Sequence, residues 1–321
     1  EATVRGGGYH AYDMDGGWYS SPGAIAAWVE AERVARAASP LPIGDDSILV
    51  TGGENYFCHQ SFGDQLGRMV SYALRDNPRR ALAYAGVPNE FRLLDELMAD
   101  PAATFPKVTV FNDLTTVSLA EFRRLREAAL RPGRVVVYMY RLGLFSPDGA
   151  EIERELGLKP AASDGRVAEP VEGADPLLAN ISGALYTSYM PWKIPLIHAL
   201  EPDGEGSGWK TIAKFREPPK QPAAFVRRVN GATEVYLAQP LVLTPQFCRN
   251  LLREAGGCPI IETDDLNGFG NGLFYIVALK DGVKHFTLPA GMCPLETIAG
   301  PKPTVRDDGY AVTLKRGDVF I

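Results

Sequence analysis

The sequence predicts an α/β protein built on a parallel sheet, with a strand–loop–helix unit before it and a small antiparallel β domain after it. Three stretches carry this expectation. Residues 108–143 read as strand, helix and strand. Residues 1–38 set a glycine-rich aromatic loop before a helix, and residues 257–321 break into short apolar runs between turns. The predicted division is therefore 1–38, 43–256 and 257–321.

The central unit is the best defined. Lys107–Phe111 and Arg134–Tyr140 are short runs rich in Val, Tyr and Phe, bounded by turn residues, as buried strands require. Between them, Ser118-Leu119-Ala120-Glu121 has the spacing of a capping box, in which serine and glutamate satisfy each other's backbone N–H. Phe122, Leu125, Ala129 and Leu130 fall on one helical face, with Arg123, Arg124 and Glu127 outside, and Pro132-Gly133 ends the helix. Two apolar strands joined by one such helix make a right-handed parallel βαβ unit.

Taken from its start, the chain opens on a short strand and the loop Gly6–Tyr19, which mixes glycine, acidic and aromatic residues. Ser21-Pro22 opens a helix, with serine at the cap and proline at the first helical position, and Ile25, Trp28, Val29, Glu32 and Arg36 continue it to Ala38. In parallel α/β proteins the loop after a strand's carboxyl end faces the ligand. Asp13, Asp15, Trp18 and Tyr19 are therefore candidates for a sugar site, where rings stack on aromatics and carboxylates accept hydroxyl protons. The competing reading is that Trp18 and Tyr19 pack the loop while the aspartates cap turns.

Ser39-Pro40-Leu41-Pro42 marks a boundary. After it come a strand at Ser47–Thr51, a loop through Gly52–Gln60, and helices at Gly63–Asp76 and Pro78–Gly86. A strand at Glu90–Leu94 and a short helix at Asp95–Ala99 lead into the central unit. Asp148–Gly157 is a helix with Gly157 as its C-terminal cap, and residues 158–210 are loop-rich. Thr211–Phe215 is a strand, and Asn230-Gly231 between Ala223–Val229 and Thr233–Ala238 is a strong hairpin signal. Thr244 caps a helix over Pro245–Ala255. Strands are then expected at Cys258–Glu262, Gly272–Leu279, Lys284–Leu288, Tyr310–Leu314 and Asp318–Ile321.

A chain of 321 residues suggests two domains, and 45% hydrophobic with 22% charged residues is ordinary globular composition. The net charge of −6 argues against a nucleic-acid partner, and no apolar stretch has the roughly 20 residues of a membrane-spanning helix. The four cysteines, Cys58, Cys248, Cys258 and Cys293, contain no CxxC pair, so neither a disulfide scaffold nor a structural zinc site is expected. They leave the compartment open. Residue 1 is Glu with no signal-like segment after it, so the chain is expected to be a processed form or a fragment of something longer.

Catalytic signatures are sparse. The histidines at 10, 59, 198 and 285 are scattered, so no metal or cofactor is expected. No GxSxG elbow, GxGxxG or Walker pattern occurs. Cys58-His59 reads as a loop cysteine beside a capping histidine, because adjacent side chains diverge. Asn112-Asp113 lies at a strand's carboxyl end and reads as the cap of the turn before Ser118. Asp264-Asp265 reads as a turn rather than a calcium site. Asp13 and Asp15 alternate, which makes them a poor carboxylate pair for glycoside cleavage.

A family resemblance adds to this. YDMDGGWYSSP and the helix after it resemble the last strand, loop and helix of the (β/α)8 barrel of bacterial β-galactosidase-like glycoside hydrolases. ALAYAGVPNEFRLLDELM, KVTVFND, SLAEFRRLREAALRPGRVVVYMY and LTPQFCRNLLREAGG resemble the class I glutamine-amidotransferase-like, flavodoxin-like domain that follows such barrels and is called the trimerisation domain. YIVALKDGVKHFTLP resembles their closing β module. The resemblance implies a C-terminal, non-catalytic part of a sugar-cleaving enzyme that serves oligomerisation and shapes a sugar site. It implies carbohydrate as ligand, and a homo-oligomer or the rest of a longer chain as partner. The family's catalytic glutamates lie on earlier barrel strands, so no residue here inherits their role, and Cys58 lacks the glycine frame of a glutaminase nucleophile. A freestanding amidotransferase-like hydrolase and a carbohydrate-binding or structural module are the alternatives.

Overall fold

The computed structural model describes residues 22–39, 43–53, 74, 77–100, 102–161, 168–171, 175–181, 199–216, 220–238, 243–289, 291–294 and 296–321. After helix α1 (Pro22–Ala37) come β1 (Ile48–Gly52), α2 (residues 77–85), β2 (Asn89–Leu93) and α3 (Leu94–Ala99). Then follow β3 (Val108–Asp113), α4 (Leu119–Ala129), β4 (Val135–Met139) and α5 (Gly149–Leu156). The next strands are β5 (Leu158–Ala161), β6 (Ala168–Pro170), β7 (Ala199–Pro202), β8 (Lys210–Phe215), β9 (Pro222–Val229) and β10 (Ala232–Leu237). Helix α6 (Pro245–Glu254) leads into the strands of the C-terminal module: β11 (Leu266–Gly270), β12 (Leu273–Val277), β13 (Gly282–Phe286), β14 (Thr304–Arg306), β15 (Gly309–Leu314) and β16 (Val319–Phe320).

Among the described residues the largest sheet has the order β2-β1-β3-β4-β10-β9-β8-β6. From β2 to β10 neighbouring strands are parallel, and from β10 to β6 they are antiparallel. Every residue of β4 is buried, as expected of a central strand covered by helices on both faces. On one face α4 sets Phe122 against Tyr138, which stacks on Phe111. On the other, Glu254 of α6 accepts a hydrogen bond from the Thr233 hydroxyl. Burying a side chain such as Phe122 or Leu125 of α4 contributes about 1.5–3 kcal/mol.

The local signals form as read. Ser118 accepts from the Glu121 N–H at 3.3 Å, and the Glu121 carboxylate accepts from the Ser118 N–H at 2.8 Å. The Ser118 N–H and hydroxyl, both donating to the Glu121 carboxylate, hold it below its ordinary range. Asn230 and Gly231 both have positive φ, 50° and 76°, which is the type I′ geometry of a two-residue hairpin. Thr244 caps α6 through the Phe247 N–H, and Gly157 ends α5 in the left-handed conformation.

The C-terminal module departs from expectation in three places, one of them β14 (Thr304–Arg306), a strand that was not expected. Cys258–Glu262 is not a strand; its one bridge joins Ile261 to Phe286. The reason is that the Ile260 and Ile261 N–H groups donate to the Gly86 carbonyl at the end of α2. Gly86 has φ +67°, and a Cβ there would fall onto the Ile261 carbonyl, so only glycine fits this joint. Conversely, Leu266–Gly270, where no strand was expected, is strand β11. Its Gly268 lies across the Tyr275 ring, and the true turn is Asn271-Gly272, with φ of 47° and 70°. The loop-rich stretch 158–210 also holds the short strands β5, β6 and β7.

Candidate functional site at the carboxyl edge of the parallel strands

In an open α/β sheet the ligand edge is the carboxyl end of the strands, where the strand order reverses. Here β1 lies between β2 and β3, so the reversal falls at β1 and β3. That gap is bridged: the Gly53 N–H donates to the Asp113 carbonyl at 3.0 Å, and Gly52 is pressed against Asn112 and Asp113. The Asp113 carboxylate accepts from the Thr115 N–H at 3.2 Å and the Thr115 hydroxyl at 2.7 Å. Asp113 thus caps the turn, as its position in the sequence suggested. The Asn112 amide donates to the Leu74 carbonyl at 2.7 Å.

The turn after β4 is the most strained point of this edge. Tyr140 has φ +62°, a conformation costly for a bulky residue, and it is 4% exposed. A sharp, strained strand-to-helix turn is where α/β hydrolases present a nucleophile. Tyr140 is not exposed there as such a nucleophile is. Burial pushes its hydroxyl up to about 12, with Asp113 adding to the rise and Arg141 opposing it, so the phenol stays protonated. Its N–H is used on the Leu237 carbonyl.

The loops after β3 and β4 close on each other. Gly143 and Phe145 donate to the carbonyls of Leu114 and Thr115, both at 2.8 Å. Asp148 accepts from the Leu119 N–H at 2.9 Å, adding a second cap to α4. Gly143 and Gly149 pack backbone to backbone, with no room for a Cβ at Gly149. Arg141 donates to Glu153 at 2.7 Å, and Glu153 is 3% exposed. The amides of Tyr140 and Gly143 are thereby engaged inside the protein rather than aimed at a developing oxyanion.

A second polar cluster lies under α4. Glu234 of β10 is 0% exposed and accepts from Arg126 at 2.8 and 3.2 Å, from Arg227 at 2.9 and 2.6 Å, and from the Tyr138 hydroxyl at 3.2 Å. Burial opposes ionisation of Glu234, but the two guanidinium groups outweigh it and hold the carboxyl below its ordinary value. Every oxygen of the cluster is committed to protein partners, so it locks α4 onto β10 and β9 of the sheet.

The residues proposed for a sugar site, Asp13, Asp15, Trp18 and Tyr19, lie outside the described residues, as do Cys58, His59 and His198. His285 sits exposed on β13. Asp264 and Asp265 serve cations of the protein itself: Asp264 pairs with Arg249, and Asp265 accepts from Lys284 at 2.7 Å. Among the described residues no three His, Cys, Asp or Glu side chains are placed to hold a metal ion, and no helix is long and apolar enough to cross a membrane. The sequence reading missed Tyr140 and Glu234. Nothing local marks a left-handed tyrosine, whereas a glutamate inside an otherwise apolar strand was a visible signal.

The architecture is thus a mixed α/β protein with one large, mainly parallel sheet and small antiparallel sheets. No protein-family model matches the chain, and no curated protein matches it in sequence. Solved structures match its fold. A β-galactosidase from the Antarctic haloarchaeon Halorubrum lacusprofundi is 14% identical with TM-score 0.58, covering 92% of this chain and 42% of its own. Those from Rahnella sp. R3 and Bacillus circulans sp. alkalophilus have TM-scores of 0.57 and 0.54 at 12% and 11% identity. Each covers 92% of this chain, which spans 43% and 44% of their lengths. The likeness is one of fold, and the chain spans less than half the length of these three β-galactosidases.

Proposed function

We propose that the chain is the C-terminal, non-catalytic part of a β-galactosidase-like glycoside hydrolase, serving assembly and shaping a sugar site. The observation that carries this is the unequal coverage: nearly all of this chain matches, against 42–44% of the β-galactosidases. The closed strand edge supports it, because the elbow at Tyr140 offers a protonated, buried phenol where a hydrolase would hold a nucleophile. In this reading α1 ends a (β/α)8 barrel, with Asp13, Asp15, Trp18 and Tyr19 lining its mouth against carbohydrate. The domain from residue 43 to 256 is flavodoxin-like and related to class I glutamine amidotransferases. Its parallel strands run 2-1-3-4 and then β10, an order that supports the assignment. Oligomerisation is its proposed role, as a trimerisation domain or through the rest of a longer chain.

The test is to assay the chain on a panel of nitrophenyl glycosides and to measure galactoside binding by calorimetry, with Trp18→Ala as control. No turnover is expected. Robust turnover that is lost on substituting an acidic residue of this chain would overturn the non-catalytic reading. The coding sequence upstream of Glu1 gives an independent check, since a barrel needs on the order of 250 residues of alternating strand and helix.

A further inference from the structure

The two ends of the described chain meet. Val34, in the last turn of α1, and Ala38, just after it, pack with buried Leu273 and Tyr275 of β12, alongside Leu266, Val277, Ile298 and Ile321. The Ser39 N–H donates to the Asn271 carbonyl at 2.9 Å, in the β11–β12 turn, and the Arg33 guanidinium donates to the Ile298 carbonyl. The large core of the α/β domain begins at Ile48 and contains no α1 residue among those described. At about 100° per residue, Ile25 and Val29 lie on the side of α1 away from Val34. They are 53% and 63% exposed.

We infer that the C-terminal β module is a helix-docking platform whose occupant is α1 of the same chain. The N-terminal helix and the last strands then form one structural unit, with the α/β domain inserted between them. The inner stripe of α1 and the apolar face of the β11–β12 hairpin complete each other. Without α1 the hairpin exposes Leu273 and Tyr275, and without the hairpin Val34 and Ala38 lose the apolar partners they have among the described residues. The module is in turn clamped to the α/β domain through Gly86 and through Arg249, which reaches the Tyr84 and Ala85 carbonyls as well as Asp264. Whatever is joined to α1 is therefore oriented against the α/β domain by the module. This inference stands apart from the glycosidase reading. If that reading also holds, the module sets the angle of the barrel end.

Hydrogen exchange on the full chain tests it. In Val34→Asp/Ala38→Asp, exchange over residues 22–37 should rise at least about tenfold, with a parallel rise over 266–277 and none over 108–143. Ile298→Ser, a milder change on the platform side, should release the same two segments. Ile25→Asp/Val29→Asp should leave α1 as protected as in the parent chain. Three results would each overturn the inference: retained protection of 22–37 in both inner-face variants, release of α1 by the outer-face variant alone, or loss of protection over 108–143 together with α1. None of these outcomes depends on glycosidase activity, so failure here is distinguishable from failure of the functional reading.

Discussion

Replacing Glu234 gives the sharpest measure of what holds the α/β domain together. Glu234→Ala removes a carboxylate that accepts five hydrogen bonds, four of them from the guanidinium groups of Arg126 and Arg227. Charge-assisted bonds are each worth about 1.5–3 kcal/mol net, but their sum overstates the loss, because both arginines are partly exposed and rehydrate. The Tyr138 hydroxyl cannot do so, since its residue is fully buried. Removal of one partner from such a buried set typically costs about 3–5 kcal/mol, and that is the expected loss in urea-induced unfolding followed by exchange at β4 and β10. Glu234→Leu with Arg126→Met and Arg227→Met should recover much of it, because the penalty lies in stranded charge rather than in lost attraction. Acid gives a second reading. The folded carboxyl titrates below its ordinary value of 4.5. Its contribution is therefore fully present above that value and is lost as pH falls through the lower, folded one. Stability of Glu234→Gln should depend less on pH in that acid range than stability of the parent chain. A loss below about 1 kcal/mol for Glu234→Ala would refute the reasoning, since it would place the carboxylate in a site that tolerates emptying.

Two further substitutions probe the module and its joint. Gly86→Ala places a Cβ against the Ile261 carbonyl at φ +67° and should cost about 1–3 kcal/mol, read as faster exchange over residues 260–288. Unchanged exchange there would show that the joint is not built on Gly86. Lys284→Met leaves the Asp265 carboxylate buried, with the Leu279 N–H and Thr263 hydroxyl, at 2.8 and 2.6 Å, as its remaining donors among the described residues. It should destabilise the module by about 3–5 kcal/mol, while Asp265→Asn/Lys284→Met recovers part of the loss. Equal thermal stability of both variants would contradict a stranded charge.

Features that depend on a few neighbouring residues were legible in the sequence. The Ser118–Glu121 box, the Asn230-Gly231 hairpin, the Thr244 cap and the all-apolar run of β4 are each determined by local hydrogen bonding or by burial on both faces. Features determined from a distance were not. The glycines of Leu266–Gly270 look like turn residues, but Gly268 makes room for the Tyr275 ring on the paired strand. Cys258–Glu262 has the composition of a strand, yet its amides are drawn to Gly86, far away in sequence. Arg249 lies within an amphipathic helix and is buried only because Tyr84, Ala85 and Asp264 surround it. The docking of α1 on the β11–β12 hairpin joins opposite ends of the chain, which no periodicity encodes. At the candidate site, sequence reading identified Asp113 as a turn cap but not the left-handed Tyr140, whose backbone is imposed by the loops packed around it.

Strain at Tyr140 makes sense in a domain whose strand edge is occupied by its own loops. A left-handed tyrosine costs on the order of 1–3 kcal/mol and persists only where surrounding contacts over-determine it. In a hydrolase those contacts leave one side open, so that the elbow residue and nearby amides meet substrate. Here the open side is filled: Gly143 and Phe145 pair with Leu114 and Thr115, Asp148 caps α4, and Gly149 admits nothing larger. The same geometry that could orient a nucleophile instead fixes the β3 and β4 loops as one rigid surface. Such a surface is what the reading proposed above requires of a domain that holds neighbours in register.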